Sequence, residues 1–198
     1  MNYRAAKKAI LDILRRELAS DLHYHGFHHT MDVLAVSVDL CALEGVRSER
    51  EVRLVKTAAL LHDAGFVAGK HSGHEAEGCR MAQALLPAYD YTPEDIALIN
   101  GMIMATKIPQ SPNNIFEQII CDADLDYLGR HDFETIGNSL YRELSEYKLI
   151  GNEQDWNRLQ VSFLRSHRFH TQTNQSRREP VKQRYLQQLC ELVATYEN

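Results

Sequence analysis

The stretch Leu60-Leu61-His62-Asp63-Ala64-Gly65-Phe66 sets a histidine and an aspartate side by side at the end of an apolar, helix-like run. Neighbouring helical positions point about 100° apart, so these two side chains meet at one point only if something between them draws them together. A divalent metal is the simplest such agent, because imidazole nitrogen and carboxylate oxygen both suit zinc, iron, manganese and cobalt. Further ligands are then to be sought elsewhere in the chain. The plainer alternative is that His62 ends a helix and complements its dipole, while Asp63 caps the next segment.

Two other segments repeat the pattern of a His or Asp at the edge of an apolar helix. Upstream lies Tyr24-His25-Gly26-Phe27-His28-His29-Thr30-Met31-Asp32-Val33, and downstream lies Cys121-Asp122-Ala123-Asp124-Leu125-Asp126-Tyr127-Leu128-Gly129. The order His29, His62-Asp63, Asp124 resembles the H…HD…D pattern of the HD-domain superfamily of metal-dependent phosphohydrolases. The first segment is similar to the Tyr-His-x-x-x-His-(Ala/Thr)-x-x-Val stretch of class I cyclic-nucleotide phosphodiesterases. The last resembles the Ala-Asp-(Arg/Leu)-Leu-Asp-x-Leu-Gly stretch of many small bacterial HD proteins. The resemblance covers about residues 20–130, and its specificity lies in the three motifs occurring together and in order.

Length and composition set the frame. A chain of 198 residues suits one domain, here expected over 1–198, with a metal-site core at about 20–130 and a helical extension at about 131–198. The content of 44% hydrophobic and 25% charged residues is ordinary for a globular protein. A net charge of -5 with no basic stripe argues against a nucleic-acid backbone as partner. Cys41, Cys79, Cys121 and Cys190 are far apart and read as buried thiols in a reducing compartment, with no C-x-x-C pair. No apolar run reaches the length of a membrane span and the N-terminus carries charges through its apolar run, so a cytoplasmic protein without a membrane partner is expected.

Periodicity reads as helix almost throughout. Residues 3–19 place Ile10, Leu14 and Leu18 on one face; the segment 21–28 breaks the period and presents His25 and His29. A helix then runs from Thr30 to the stop at Gly45, and Ser48-Glu49-Arg50-Glu51 starts the one that delivers His62-Asp63. After a glycine-rich loop over 65–73, a helix is expected at about 74–86, and Thr92-Pro93 opens another that reaches about Thr106. A helix over 115–128 carries Asp124. Beyond Gly129, helices at about 131–147 and 153–168 come next, the second with Trp156, Leu159 and Phe163 on its core face; a polar loop over 171–179 leads to a last helix. No alternating run long enough for a strand occurs, so the fold expected is an all-α bundle with the metal site among facing helices.

The resemblance then assigns chemistry. His29, His62, Asp63 and Asp124 would hold one divalent ion (Mn, Co, Ni, Zn, Fe or Mg) with its charge balanced, leaving positions for water and a phosphoryl oxygen. Asp124 is chosen over Asp122 and Asp126 because it matches the phase of the family motif, with Asp122 expected to support a ligand. Asp63 or Asp124 would help take a proton from the attacking water. His25 would give one to the leaving alkoxide, as the matching histidine does in the phosphodiesterases, although Gly26 stands where those enzymes have Asn. In HD proteins with more ions a histidine in the region of His74 binds the second; the further histidine expected on the next helix is replaced by Met104-Ala105-Thr106-Lys107, which favours one ion. Lys70 and Lys107 are candidates for substrate phosphate or simply surface charges, and His71 reads as a loop residue. His23, His28, His131, His167 and His170 lack spacing partners and read as surface or capping groups. The function expected is hydrolysis of a phosphomonoester or phosphodiester, a nucleotide or other small phosphorylated metabolite, in a chain that could form a homodimer. A two-iron oxygenase and a non-catalytic nucleotide-sensing module are the alternatives.

Overall fold

The computed structural model describes residues 1–69 and 72–197. The described residues form ten α-helices and several short 3-10 turns joined by irregular segments, and no strand occurs among them. Local chemistry sets most boundaries. Helix α1 (Tyr3–Glu17) starts where Asn2 accepts from Ala5 N–H, and it buries Ala6, Ile10, Leu11 and Leu14. Helix α2 (Phe27–Leu43) begins after Gly26, and α3 (Glu49–Leu61) begins where the Ser48 hydroxyl accepts from Glu51 N–H. Helix α4 (His74–Leu85) gives way to a 3-10 turn containing Pro87. Helix α5 (Pro93–Ala105) opens with a reciprocal Thr92–Asp95 capping box, and Asn114 caps α6 (Ile115–Asp124).

Helix α3 is the axis of the main core. Its second half, Thr57 to Leu61, is wholly buried, and it packs on α1, α2, α5 and α6. The first half of α3 carries Glu49, Arg50, Glu51 and Arg53 towards solvent, whereas the second half is enclosed on every side and delivers His62 at its buried end.

The C-terminal helices α7 (Phe133–Glu146), α8 (Glu153–Ser166), α9 (Gln172–Arg177) and α10 (Glu179–Ala194) fold back on the same chain. A second apolar cluster, including Tyr24, Tyr127, Phe133, Leu164 and Phe169, joins them to the segments beside the site. Three sequence expectations are corrected here. The helix expected over 115–128 stops at Asp124 and continues as a 3-10 turn, Asp126–Gly129. The polar loop expected over 171–179 contains helix α9, because Thr171 and Asn174 are buried against acidic partners on the core. Leu159, assigned to the core face of α8, is 44% exposed. Among the described residues no helix is long and apolar enough to cross a membrane.

Candidate metal centre

His62 and Asp63 converge because the chain changes conformation between them. His62 retains helical angles (φ −56°, ψ −42°), whereas Asp63 (φ −105°, ψ 5°) leaves the helix and opens the 3-10 turn Ala64–Ala68. The turn runs tightly under the start of α4: a Cβ at Gly65 would lie 1.9 Å from the His74 carbonyl oxygen. That close approach brings His74 Nε2 to 3.4 Å from Asp63 Oδ1.

Four side chains from α2, the end of α3 and the end of α6 surround one point: His29, His62, Asp63 and Asp124. His29 Nε2 lies 3.2 Å from His62 Nε2, 3.4 Å from Asp63 Oδ2 and 3.1 Å from Asp124 Oδ1. His62 Nε2 lies 3.1 Å from Asp63 Oδ2 and 3.5 Å from Asp124 Oδ1. Ligands about 2.1 Å from a shared ion stand about 3.0 Å apart in octahedral and about 3.4 Å apart in tetrahedral geometry, so the cluster has the dimensions of a coordination shell.

Electrostatics agree with that fit. Asp63 Oδ2 is buried with no hydrogen-bond partner, a position that a cation would satisfy. Burial opposes charge on every member, yet Asp63 and Asp124 hold the two imidazoles above their ordinary range, His62 well above it. The imidazoles in turn bring Asp124 down to about 2 and Asp63 well below the usual carboxylate value. The pocket therefore stabilises positive charge between two carboxylates. His62 Nδ1–H donates to the Ala59 carbonyl at 2.9 Å, which leaves the Nε2 lone pair directed at the cluster.

His25 reaches the same space by a route its spacing does not predict. It lies outside α2, so no shared helix face aligns it with His29. The organiser is Glu143 on α7, whose buried carboxylate accepts from Tyr24 N–H (2.8 Å), His25 N–H (3.1 Å) and His25 Nδ1 (2.5 Å). The His25 ring stacks on Phe66, with centroids 4.3 Å apart, and Phe66 stacks on His74 at the same distance. Glu143 was visible in the sequence only as a carboxylate set on the apolar stripe Ile136-Leu140-Leu144. Burial opposes its charge, but the bonds from His25 and Tyr24 hold its carboxyl below the usual value.

The remaining candidates divide. His74 sits beside Asp63 and Glu75, where a second ion would be shared through Asp63. Lys107 is exposed at the end of α5 and does not line the site; the preceding Thr106 takes the inward position. Lys70 and His71 lie outside the described residues. Asp122 does not support a ligand as expected: its carboxylate accepts from His170 N–H, Thr171 N–H and the Thr171 hydroxyl, and burial pushes its carboxyl up to about 6. Asp126 similarly receives Asn174 and Arg178. Of the three acids in the motif, the outer two anchor the C-terminal helices and the middle one faces the cluster.

Comparison with known proteins agrees with this arrangement. The family model of the HD domain matches residues 26–126, a span holding all four clustered side chains. The chain belongs to the HD domain family. A crystal structure described as a predicted HD superfamily hydrolase from an uncultured Thermotogales bacterium aligns with a TM-score of 0.62 at 20% identity. The alignment covers 96% of this chain and 92% of that one, so the likeness of fold extends past the HD motif into the C-terminal helices. No curated protein matches the sequence.

Proposed function

We propose that this HD-domain protein is a metal-dependent hydrolase of small phosphate esters. The observation that carries the reading is that His25, clamped by Glu143, lines the same cavity as Asp63 and Asp124 of the four-residue cluster. A divalent ion held by His29, His62, Asp63 and Asp124 would supply Lewis acidity and lower the pKa of bound water. The two carboxylates balance the charge of such an ion. His62 is kept in the ligating tautomer by Ala59. His25 donates Nδ1–H to Glu143, which leaves Nε2 to carry the proton that a departing alkoxide requires. Burial of His29, His62 and Asp63 limits the access of bulk water.

The test compares wild type and His25→Ala on p-nitrophenyl phosphate and on an alkyl phosphate, each with Mn, Co, Ni, Zn, Fe or Mg supplied. Loss of a general acid should slow the alkyl ester by about 10² or more while p-nitrophenolate, which needs no proton to leave, slows by less than about tenfold. Glu143→Gln should lie between the two enzymes and displace the pH profile. Equal losses on both esters would remove the acid role from His25, and no turnover of any phosphate ester with any ion would overturn the hydrolase reading.

A further inference from the structure

The cavity that opens on the cluster has a volume of about 270 Å³, and most of it is built by residues C-terminal to the HD motif. Its imidazole and carboxylate lining, His25, Asp63, His74, Glu75 and Asp124, belongs to the site, and Tyr24, Tyr127 and Thr106 add hydroxyl groups beside it. Helices α7 and α8 contribute Phe133, Leu140, Leu144, Trp156, Phe163 and Leu164, with Gln160 as their one polar side chain among the described lining residues. Ile108 and Leu159 also line it and are 53% and 44% exposed, so part of the rim is apolar as well. No Lys or Arg occurs among the described lining residues.

From this geometry we infer that the cavity receives the apolar alcohol portion of the substrate, which is a phosphate monoester of a hydrocarbon or aryl alcohol. The inference rests on the phosphoester-hydrolase reading of the cluster. One phosphate would be met by an ion held in the cluster, but a second phosphate or a string of hydroxyls would enter a wall whose neutral polar groups are the hydroxyls of Tyr24, Tyr127 and Thr106, the Trp156 indole N–H and the Gln160 amide, with no described cation. Burying such groups without partners is costly, whereas each methylene placed there gains from leaving water. At roughly 30 Å³ per water-sized group the cavity holds about nine such groups, of which the phosphate takes about four, so about five remain for an alkyl chain.

Binding can be read separately from turnover with alkyl phosphonates, whose P–C bond is not hydrolysed. Titration calorimetry with metal-loaded wild-type protein should show affinity rising by about fourfold per methylene from ethyl to about pentyl phosphonate, then levelling off towards octyl. Leu159→Asp, at a partly exposed position that tolerates charge, should weaken the octyl compound at least about tenfold more than the ethyl compound. The matched alkyl phosphates should show the same chain-length trend in kcat/KM and should exceed nucleoside monophosphates. A flat dependence on chain length, or nucleoside monophosphates preferred over octyl phosphate, would overturn the inference. Chain-length-dependent phosphonate binding with no cleavage of any phosphate ester would uphold the apolar cavity and refute the hydrolase reading instead.

Discussion

Asp63 joins two neighbourhoods, with Oδ2 turned to the imidazoles of His29 and His62 and Oδ1 turned to His74. Removing it takes away a carboxylate of the cluster and leaves two imidazoles facing each other at 3.2 Å with less negative charge to balance them. Asp63→Ala should therefore contain less than about a tenth of the metal found in wild type, measured by elemental analysis after identical loading; equal occupancy would remove Asp63 from the site. His167, far from the cluster in sequence, gives a different kind of prediction. Burial, with the Lys182 ammonium beside it, drops its pKa to about 3, and Lys182 Nζ lies 3.3 Å from its Nδ1. Above pH 6.5, the ordinary value, the ring is neutral in both folded and unfolded chains and contributes no pH dependence. Below that the unfolded chain takes up a proton that the folded chain refuses, so stability falls with falling pH by up to about 1.4 kcal/mol per unit. Urea denaturation of His167→Gln between pH 6.5 and 4 should show a shallower loss than wild type; parallel curves would refute the assignment.

At the scale of elements, the end of α6 serves two purposes at once. Asp124 is presented to the cluster while Asp122 and Asp126 hold Thr171, Asn174 and Arg178, so the turn that shapes the site also pins α9 and the start of α10. Gly129 closes that turn against Arg178, and a Cβ there would lie 2.5 Å from the Arg178 carbonyl oxygen. Because a backbone atom cannot swing aside as a side chain does, Gly129→Ala should cost about 1–3 kcal/mol, roughly 2–12 °C in Tm by calorimetry; an unchanged Tm would show that the packing there is looser than described. The helices were legible in sequence wherever local chemistry decides them, as at Ser48 and at Thr92-Pro93 with its capping box. The cluster was legible because its residues sit at helix ends in a recognisable order. Long-range pairings were not: nothing near His25 announces Glu143, 118 residues away, and nothing within 171–179 announces the buried acids that fold it as α9. Lys107 failed as a candidate for a related reason, since only the packed helix shows that Thr106 takes the inward position.

Across the whole molecule, the cluster is the place where separate parts of the chain meet. His29 comes from α2, His62 and Asp63 from the end of the central helix α3, and Asp124 from α6, which in turn anchors the C-terminal helices that wall the cavity. A cation bound there tethers three elements in the folded chain, while the unfolded chain has no preformed site, so binding energy appears as folding stability. With free ion at 100 times its Kd the gain is about 2.7 kcal/mol, roughly 5–11 °C in Tm for a chain of this length. The same loading should leave Asp63→Ala unshifted. Amide exchange should slow on loading at the N-terminal half of α2 and at the end of α6, with less change in α1, which packs mainly on α3 and on the turns Ala64–Ala68 and Leu86–Tyr89 and supplies none of the four clustered side chains. An equal thermal shift in wild type and Asp63→Ala would place the stabilising ion elsewhere on the molecule. A shift confined to wild type, with protection concentrated in those two helices, would locate the ion where the three elements converge.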